Sequence, residues 1–307
     1  MPAEFPPRDE CGSCFPPLEG RRRGGGCNLI IRNDMDFRTI VDIPKPGFRI
    51  EPLERILFVG SCFADNIGQR FAEERFDVVV NPYGVMYNPA SIGHTVDRWL
   101  ENNQKEEGGG VISTAFFTLG TNHVYRLRET GEIVDNCQKK PQKLFQEEEL
   151  TVDECVDYLS MAVEKLTKHS IDINIVITIS PIRYAKYGFH GSQLSKAALL
   201  MAADRMCRKY NNVWYFPAYE IVLDELRDYR FYQPDMIHPS SQTVEYLWEK
   251  LTENYFSSRA LQFLHDWKPI KEALGHRPFQ PESDDYKSFI AQTKEREQQL
   301  LSCYKRQ

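Results

Sequence analysis

Two stretches of the sequence combine residue types and spacing that suit acyl chemistry. The first is Gly60-Ser61-Cys62, directly after the short apolar run Ile56-Leu57-Phe58-Val59. A serine between a strand end and a helix start sits where free N–H groups and the helix dipole favour negative charge. That position suits a nucleophile whose attack creates an oxyanion. Serine alone is a weak nucleophile and needs a base. The plainer alternative is that Ser61 only caps the helix, since serine is among the best N-caps. The second stretch is Asp235-Met236-Ile237-His238-Pro239. An aspartate three residues before a histidine can share one side of a turn with it. The carboxylate then holds the imidazole in one tautomer and orientation. Of the seven histidines, His238 alone has an aspartate at this offset.

Other groups compete for a role. Cys62 is the rival nucleophile, because a thiolate at a helix N-terminus beside a histidine is reactive. The residue after a nucleophile, however, offers its backbone N–H to the oxyanion while its side chain turns inward, and buried cysteine is a common small apolar filler. Ser61 is therefore preferred. Arg227 and Arg230 could bind a carboxylate or phosphate of a substrate; an internal ion-pair network with Glu220, Asp224 and Asp228 is the favoured alternative. Lys196 follows Ser195 in a helix, where neighbours point about 100° apart, so the two do not make a catalytic pair. His276 is expected to pack or cap. Gly12-Ser13-Cys14-Phe15 repeats the Gly-Ser-Cys-Phe string without a preceding strand or following helix. Cys11, Cys14 and Cys27 lack the fourth ligand of a zinc site. Neither G-x-G-x-x-G nor a P-loop is present. The chemistry expected here needs no metal and no cofactor.

The elements around these residues alternate. Ile56–Val59 is a continuous apolar run, as in a strand buried on both faces. A helix over about 64–74 and a strand over 77–80 follow. Phe116–Leu119 and Val124–Leu127 read as short strands, with a turn at Thr130-Gly131. Thr151 caps a helix that runs to about His169, with Glu154 as its capping-box partner. Ile173–Ile179 is strand-like. A helix over 192–210 has apolar positions at Leu194, Ala197, Ala198, Met201 and Ala202. Val213–Phe216 is a strand and 242–256 a helix. From Ser258 the chain is helical and charged, broken around residues 276–281. This order predicts an α/β fold with a mainly parallel sheet, and such sheets bind ligands at the carboxyl ends of their strands.

Composition agrees with a folded, water-soluble body. The 307 residues are 41% hydrophobic and 27% charged, with a net charge of −6. Such a chain buries a core without staples, and its acidity argues against nucleic-acid partners. No apolar run approaches the ~20 residues of a membrane span, and residues 1–15 lack the apolar stretch of a secretory signal. A cytoplasmic protein with reduced thiols is expected. Residues 1–34 hold the run Arg21-Arg22-Arg23-Gly24-Gly25-Gly26 and show no periodicity. They read as a disordered extension, with Met35 as a natural alternative start. The domain is expected over 35–270, with a helical extension over 271–307.

A serine after the first strand together with a late D-x-x-H is the arrangement of SGNH hydrolases. The chain resembles the GSCFA family, a branch of them. The resemblance rests on GSCFADNIGQRF at 60–71, NPYGVMYNP at 81–89, LGT at 119–121, VDNCQKKP at 134–141, ISPIRY at 179–184, QLSKA at 193–197, the stretch 215–240 and HRPF at 276–279. It implies a three-layer α/β/α flavodoxin-like fold and hydrolysis of a small-molecule or saccharide ester, O-acetyl among the candidates. Ser61 is the implied nucleophile, His238 the base and Asp235 its orienting acid. The implied oxyanion hole uses the N–H groups at Ser61 and Cys62, a glycine and an asparagine. Gly84 is the candidate glycine, and Asn122 and Asn136 are alternative asparagines. Four positions depart from the family pattern: Gln138 and Tyr184 replace histidines, His123 a tryptophan and Ser192 an asparagine. Acyl transfer by the same triad, and binding without catalysis, remain the alternatives to hydrolysis.

Overall fold

The computed structural model describes residues 37–103, 111–135, 137 and 140–305. Contacts divide the chain into Met1–Phe37 and Arg38–Gln307, and all elements below belong to the second unit. The expected extension over 1–34 lies outside the described residues, as do Asn136 and Gln138.

In chain order the elements are β1 (Arg55–Gly60), α1 (Cys62–Glu73), β2 (Asp77–Val80), α2 (Pro89–Asn103), β3 (Thr114–Leu119), β4 (His123–Leu127), β5 (Ile133–Val134), β6 (Phe145–Glu149), α3 (Val152–His169), β7 (Asn174–Ile179), α4 (Gly188–Lys209), β8 (Val213–Tyr215), α5 (Ala218–Glu220), α6 (Ser241–Tyr255), α7 (Ser258–Leu274) and α8 (Asp284–Lys305). Five strands form a parallel sheet in the order β2-β1-β3-β7-β8. The chain steps outward from β1 to β2, then returns to the other side of β1. The reversal opens a crevice between the carboxyl ends of β1 and β3, where such folds bind ligands.

Side chains of each strand alternate between two cores. Leu57, Val59, Phe117, Ile175 and Ile177 face a core completed by α2, α3 and α4. Ile56, Phe58, Phe116 and Val176 face the other, filled from α1, α6 and α7. Continuous burial of Ile56–Val59 is what made that run legible as a strand covered on both faces. The second core is rich in rings: Phe71 stands edge-on to Trp248 at 4.9 Å and lies 5.2 Å from Phe58. Each such ring fully removed from water contributes about 1.5–3 kcal/mol. The result is the expected three-layer α/β/α arrangement.

The Thr151 cap of α3 forms as expected: Thr151 Oγ1 accepts from the Glu154 N–H, and Glu154 accepts from the Thr151 N–H. The expected strand Val124–Leu127 forms within β4 and is followed by a turn, but it belongs to a ribbon apart from the main sheet. β4 pairs antiparallel with β5 and β6 as a separate three-stranded sheet. β6 reads Phe-Gln-Glu-Glu-Glu and is mostly exposed, so it carries no hydrophobic pattern. α2 is likewise an element beyond those expected.

The face of α4 differs from the expected one. Leu194 and Met201 are 56% and 54% exposed, whereas Ser192, Ser195 and Lys196 are buried. The reason is polar. Ser195 Oγ accepts from the Asn122 N–H and shares a hydrogen bond with Thr121 Oγ1. The Lys196 ammonium donates to the Gly120 and Ser180 carbonyls, each at 2.7 Å. Polar groups at the ends of β3 and β7 thus select hydrophilic residues for the start of the inner face of α4, while Leu199, Ala203, Met206 and the expected Ala202 fill the rest of it.

The segment before β1 is held by the far end of the sheet's cover. The Ile50 N–H donates to the Tyr255 carbonyl and the Ser257 N–H to the Ile50 carbonyl. Among the described residues no helix is long and apolar enough to cross a membrane.

Candidate active site

The corner between β1 and α1 is built around Gly60, whose φ is +146°. A Cβ there would lie 2.2 Å from the Thr118 carbonyl oxygen. Glycine alone therefore lets β1 and β3 end side by side. Ser61 follows as the N-cap of α1, and its Oγ accepts from the Phe63 N–H at 3.2 Å. The capping role is real, but that Oγ also shares a hydrogen bond with Thr118 Oγ1 at 3.0 Å. The Ser61 N–H is taken by the Thr118 carbonyl and hydroxyl. Asn81 fastens the corner from β2: its Oδ1 accepts from the Gly60 N–H at 2.8 Å and its amide donates to Asp65 at 2.6 Å. Gly60→Ala is expected to cost about 3 kcal/mol or more, as other substitutions into special backbone conformations do. A melting curve of the variant checks this.

The D-x-x-H stretch is a tight turn with Met236 at φ +57°. Asp235 uses both oxygens. Oδ1 accepts from the Ile237 and His238 N–H groups at 2.9 and 3.0 Å, and Oδ2 meets His238 Nδ1 at 2.6 Å. The hydrogen bonds from the His238 backbone, the His238 ring and the Ile237 backbone hold the Asp235 carboxyl down at about 2. It stays ionised at neutral pH, so Nδ1 carries the proton toward it and Nε2 is left for a reaction partner.

Ser61 and His238 line one cleft of about 240 Å³ with Cys62, Tyr87, Gly120, Ser180 and the segment Ile182–Lys186. Ser61 Oγ is not hydrogen-bonded to His238; it is turned to Thr118. Cys62 is half-buried, not enclosed, and its Sγ lies 3.7 Å from the Tyr87 hydroxyl. Burial, and then the contact with Cys62, raise the Tyr87 hydroxyl well above its ordinary range, so it remains a donor. The Cys62 N–H lies in the first turn of α1, where helix N–H groups have no intrahelical partner. Among those residues, no three His, Cys, Asp or Glu side chains converge as a metal site requires.

Other expected residues lie elsewhere. The Gly84 N–H is spent on the Asn81 carbonyl at 2.8 Å, because the Asn-Pro-Tyr-Gly stretch closes a turn. Asn122 is buried with its amide donated to the Leu150 carbonyl at 2.8 Å, which fixes the start of α3. Neither lines the cleft. Arg227 and Arg230 do not line it either. Arg227 stands 4.0 Å from Asp224 and Arg230 3.9 Å from Asp228, both largely in solvent, and Glu220 instead binds Tyr215. The arginine at the cleft is Arg183, whose Nη1 donates to the Met236 carbonyl at 3.0 Å and whose N–H donates to the Ile237 carbonyl. It thereby braces the Asp235–His238 turn. Its signal was Ile-Ser-Pro-Ile-Arg-Tyr, where a proline two residues past β7 marks the end of the strand. His276 packs against Phe289, at 6.5 Å, away from the site.

Three of the positions expected to depart from the family pattern meet beside the cleft. His123 stacks on Tyr187 at 3.6 Å, Tyr187 stacks on Tyr184 at 5.3 Å, and the Tyr184 N–H donates to Ser192 Oγ. Lys186 and Tyr187 both bind Glu147 of β6, which fastens the ribbon to this rim.

An open parallel sheet with a serine, a carboxylate-held histidine and a crevice at its switch point defines a three-layer α/β/α protein with its site at the strand ends. Within that class, the chain belongs to the GSCFA family, whose model matches residues 55–114 and 111–251. The model of the GSCFA domain protein, C-terminal domain, matches residues 267–306. No curated protein matches the chain. Solved structures with some likeness include a catalytic variant of an acetylxylan esterase from Geobacillus stearothermophilus, at 14% identity over 68% of this chain and 98% of that one, with a TM-score of 0.41. A carbohydrate esterase family 3 protein from Talaromyces cellulolyticus gives 9% identity, 69% and 99% coverage, and 0.39. A Clostridium thermocellum family 3 carbohydrate esterase gives 12%, 69% and 97%, and 0.38.

Proposed function

We propose that the protein is a serine hydrolase that cleaves a carboxylic ester. One observation carries the reading: the Asp235–His238 pair, 2.6 Å apart, and Ser61 at the start of α1 open into the same cleft. In the reaction, Ser61 Oγ turns from Thr118 toward His238, whose Nε2 takes its proton as Oγ attacks the ester carbonyl. Asp235 steadies the imidazolium that forms. The oxyanion lies near the N-terminus of α1, where the Cys62 N–H is the available donor. His238 then protonates the leaving alcohol, and water releases the acyl group by the same steps in reverse order. Small or sugar-borne acyl groups suit a cleft of this volume.

One observation favours a second reading, binding without catalysis: Ser61 is buried and its Oγ is engaged by Thr118. Catalytic hydrogen bonds commonly tighten only when substrate is present, which keeps hydrolysis ahead. A fluorophosphonate probe decides between them. Peptide mass spectrometry is expected to find the adduct on Ser61. Folded protein without an adduct would leave the binding reading.

A further inference from the structure

A second cavity adjoins the cleft across Ile182 and Arg183, which line both. It measures about 290 Å³ and takes Lys196, Arg183 and Arg227 into its wall against one acid, Asp228. That acid is partly engaged, since Asp228 Oδ1 accepts from the Arg230 N–H.

Lys196 is the informative residue. It is 2% exposed, and no carboxylate pairs with it among the described residues. Its two hydrogen bonds go to the Gly120 and Ser180 carbonyls, both on the Ser61 cleft. Two N–H bonds satisfy a neutral amine; an ammonium has a third donor and a charge to compensate. Burying a charge without a counter-charge is costly, so a group that supplies one is bound with advantage. Arg183 likewise has no carboxylate among the described residues: it leans on Phe189 at 4.3 Å and Tyr232 at 5.5 Å and reaches a carbonyl. Guanidinium and ammonium together suit an oxyanion, and the rings suit a flat or cyclic body beside it.

We propose that this cavity is the subsite for the part of the ester that carries a ring and an anionic oxygen group, a carboxylate or phosphate, held by Arg183 and Lys196 with Arg227 at the mouth. This deepens the hydrolase reading and rests on it for the word ester. Arg183 links the two ends: it touches the anion subsite on one side and braces the Asp235–His238 turn on the other.

The test uses Ser61→Ala protein, so that no ligand is consumed, with phenyl phosphate, benzoate and the uncharged benzyl alcohol as probes in calorimetric titrations at about pH 6, where the Lys196 amine holds its proton. At least one anion is expected to bind about tenfold or more tighter than benzyl alcohol, the size of one or two charge-assisted hydrogen bonds. Which anion binds distinguishes phosphate from carboxylate. Arg183→Gln and Lys196→Met are each expected to remove most of that preference in protein whose melting curve shows it folded. Should Lys196→Met not fold, Arg227→Gln, with its guanidinium toward solvent, takes its place and is expected to weaken the anion about threefold. Equal binding of anion and alcohol, no binding of any probe, or a preference that survives Arg183→Gln overturns the proposal. Failure of the hydrolase reading shows separately, as wild-type protein without a Ser61 adduct.

Discussion

With His238→Ala, fluorophosphonate labelling of Ser61 is expected to slow about a thousandfold, within the range a positioned general base contributes. Asp235→Asn is expected to do nearly as much while leaving the turn in place. An asparagine keeps one oxygen for the Ile237 and His238 N–H groups, which Asp235 Oδ1 now accepts. Its amide then donates where Oδ2 accepted, so Nδ1 must become an acceptor and Nε2 must carry the proton. An imidazole in that tautomer cannot take the proton from Ser61. Time courses of probe incorporation, read beside melting curves, separate this from unfolding. Labelling that persists in His238→Ala would move the base to another group of the cleft.

Lys196→Met is expected to change the pH dependence of stability. Burial lowers the Lys196 ammonium from 10.5 to about 7. An unfolded chain holds its lysine proton up to pH 10.5, whereas the folded protein releases it near 7. Between those values the unfolded state binds more protons, so stability rises with pH across the window and the penalty is complete below it. The full span corresponds to roughly 5 kcal/mol. Methionine removes the proton linkage, so the variant's stability is expected to be flatter from pH 7 to 9.5 in denaturant titrations. Higher pH is avoided because burial also raises Tyr215 and Tyr255, which favours unfolding once the unfolded chain's phenols ionise. A slope unchanged by the substitution would show that Lys196 stays protonated when folded.

What could be read from the sequence was local or rested on a strong pattern. Ile56–Val59 is apolar at every position because both faces of β1 are covered, and Gly60-Ser61 stands at its end for a steric reason. The Asp235–His238 contact spans three residues and needs no distant partner. Gly84 and Asn122 are different. Whether an N–H or an amide is free depends on the Asn81 and Leu150 carbonyls, which folding brings near. The start of the inner face of α4 differs from its hydrophobic spacing for the same cause: that spacing favours Leu194 and Met201, while the Asn122 N–H and Thr121 hydroxyl claim Ser195 and two strand-end carbonyls claim Lys196. Arg183 was overlooked because its partners are backbone atoms of the Met236–Ile237 segment. Polar groups that serve other backbones leave little periodic trace.

The contact that pins Ile50 between Tyr255 and Ser257 also orders events in time. A chain leaves the ribosome amino end first, and pairings between distant segments wait until both exist. Here Ile50 finds its lasting backbone hydrogen bonds only when the end of α6 has been made. Ser61 is thus synthesised long before His238, and the wall behind it closes later still. A nascent chain halted before Tyr255 would carry Ser61 with neither a sealed core nor a fixed neighbour at Ile50. Competence of the site is in this way tied to completion of the body that encloses it.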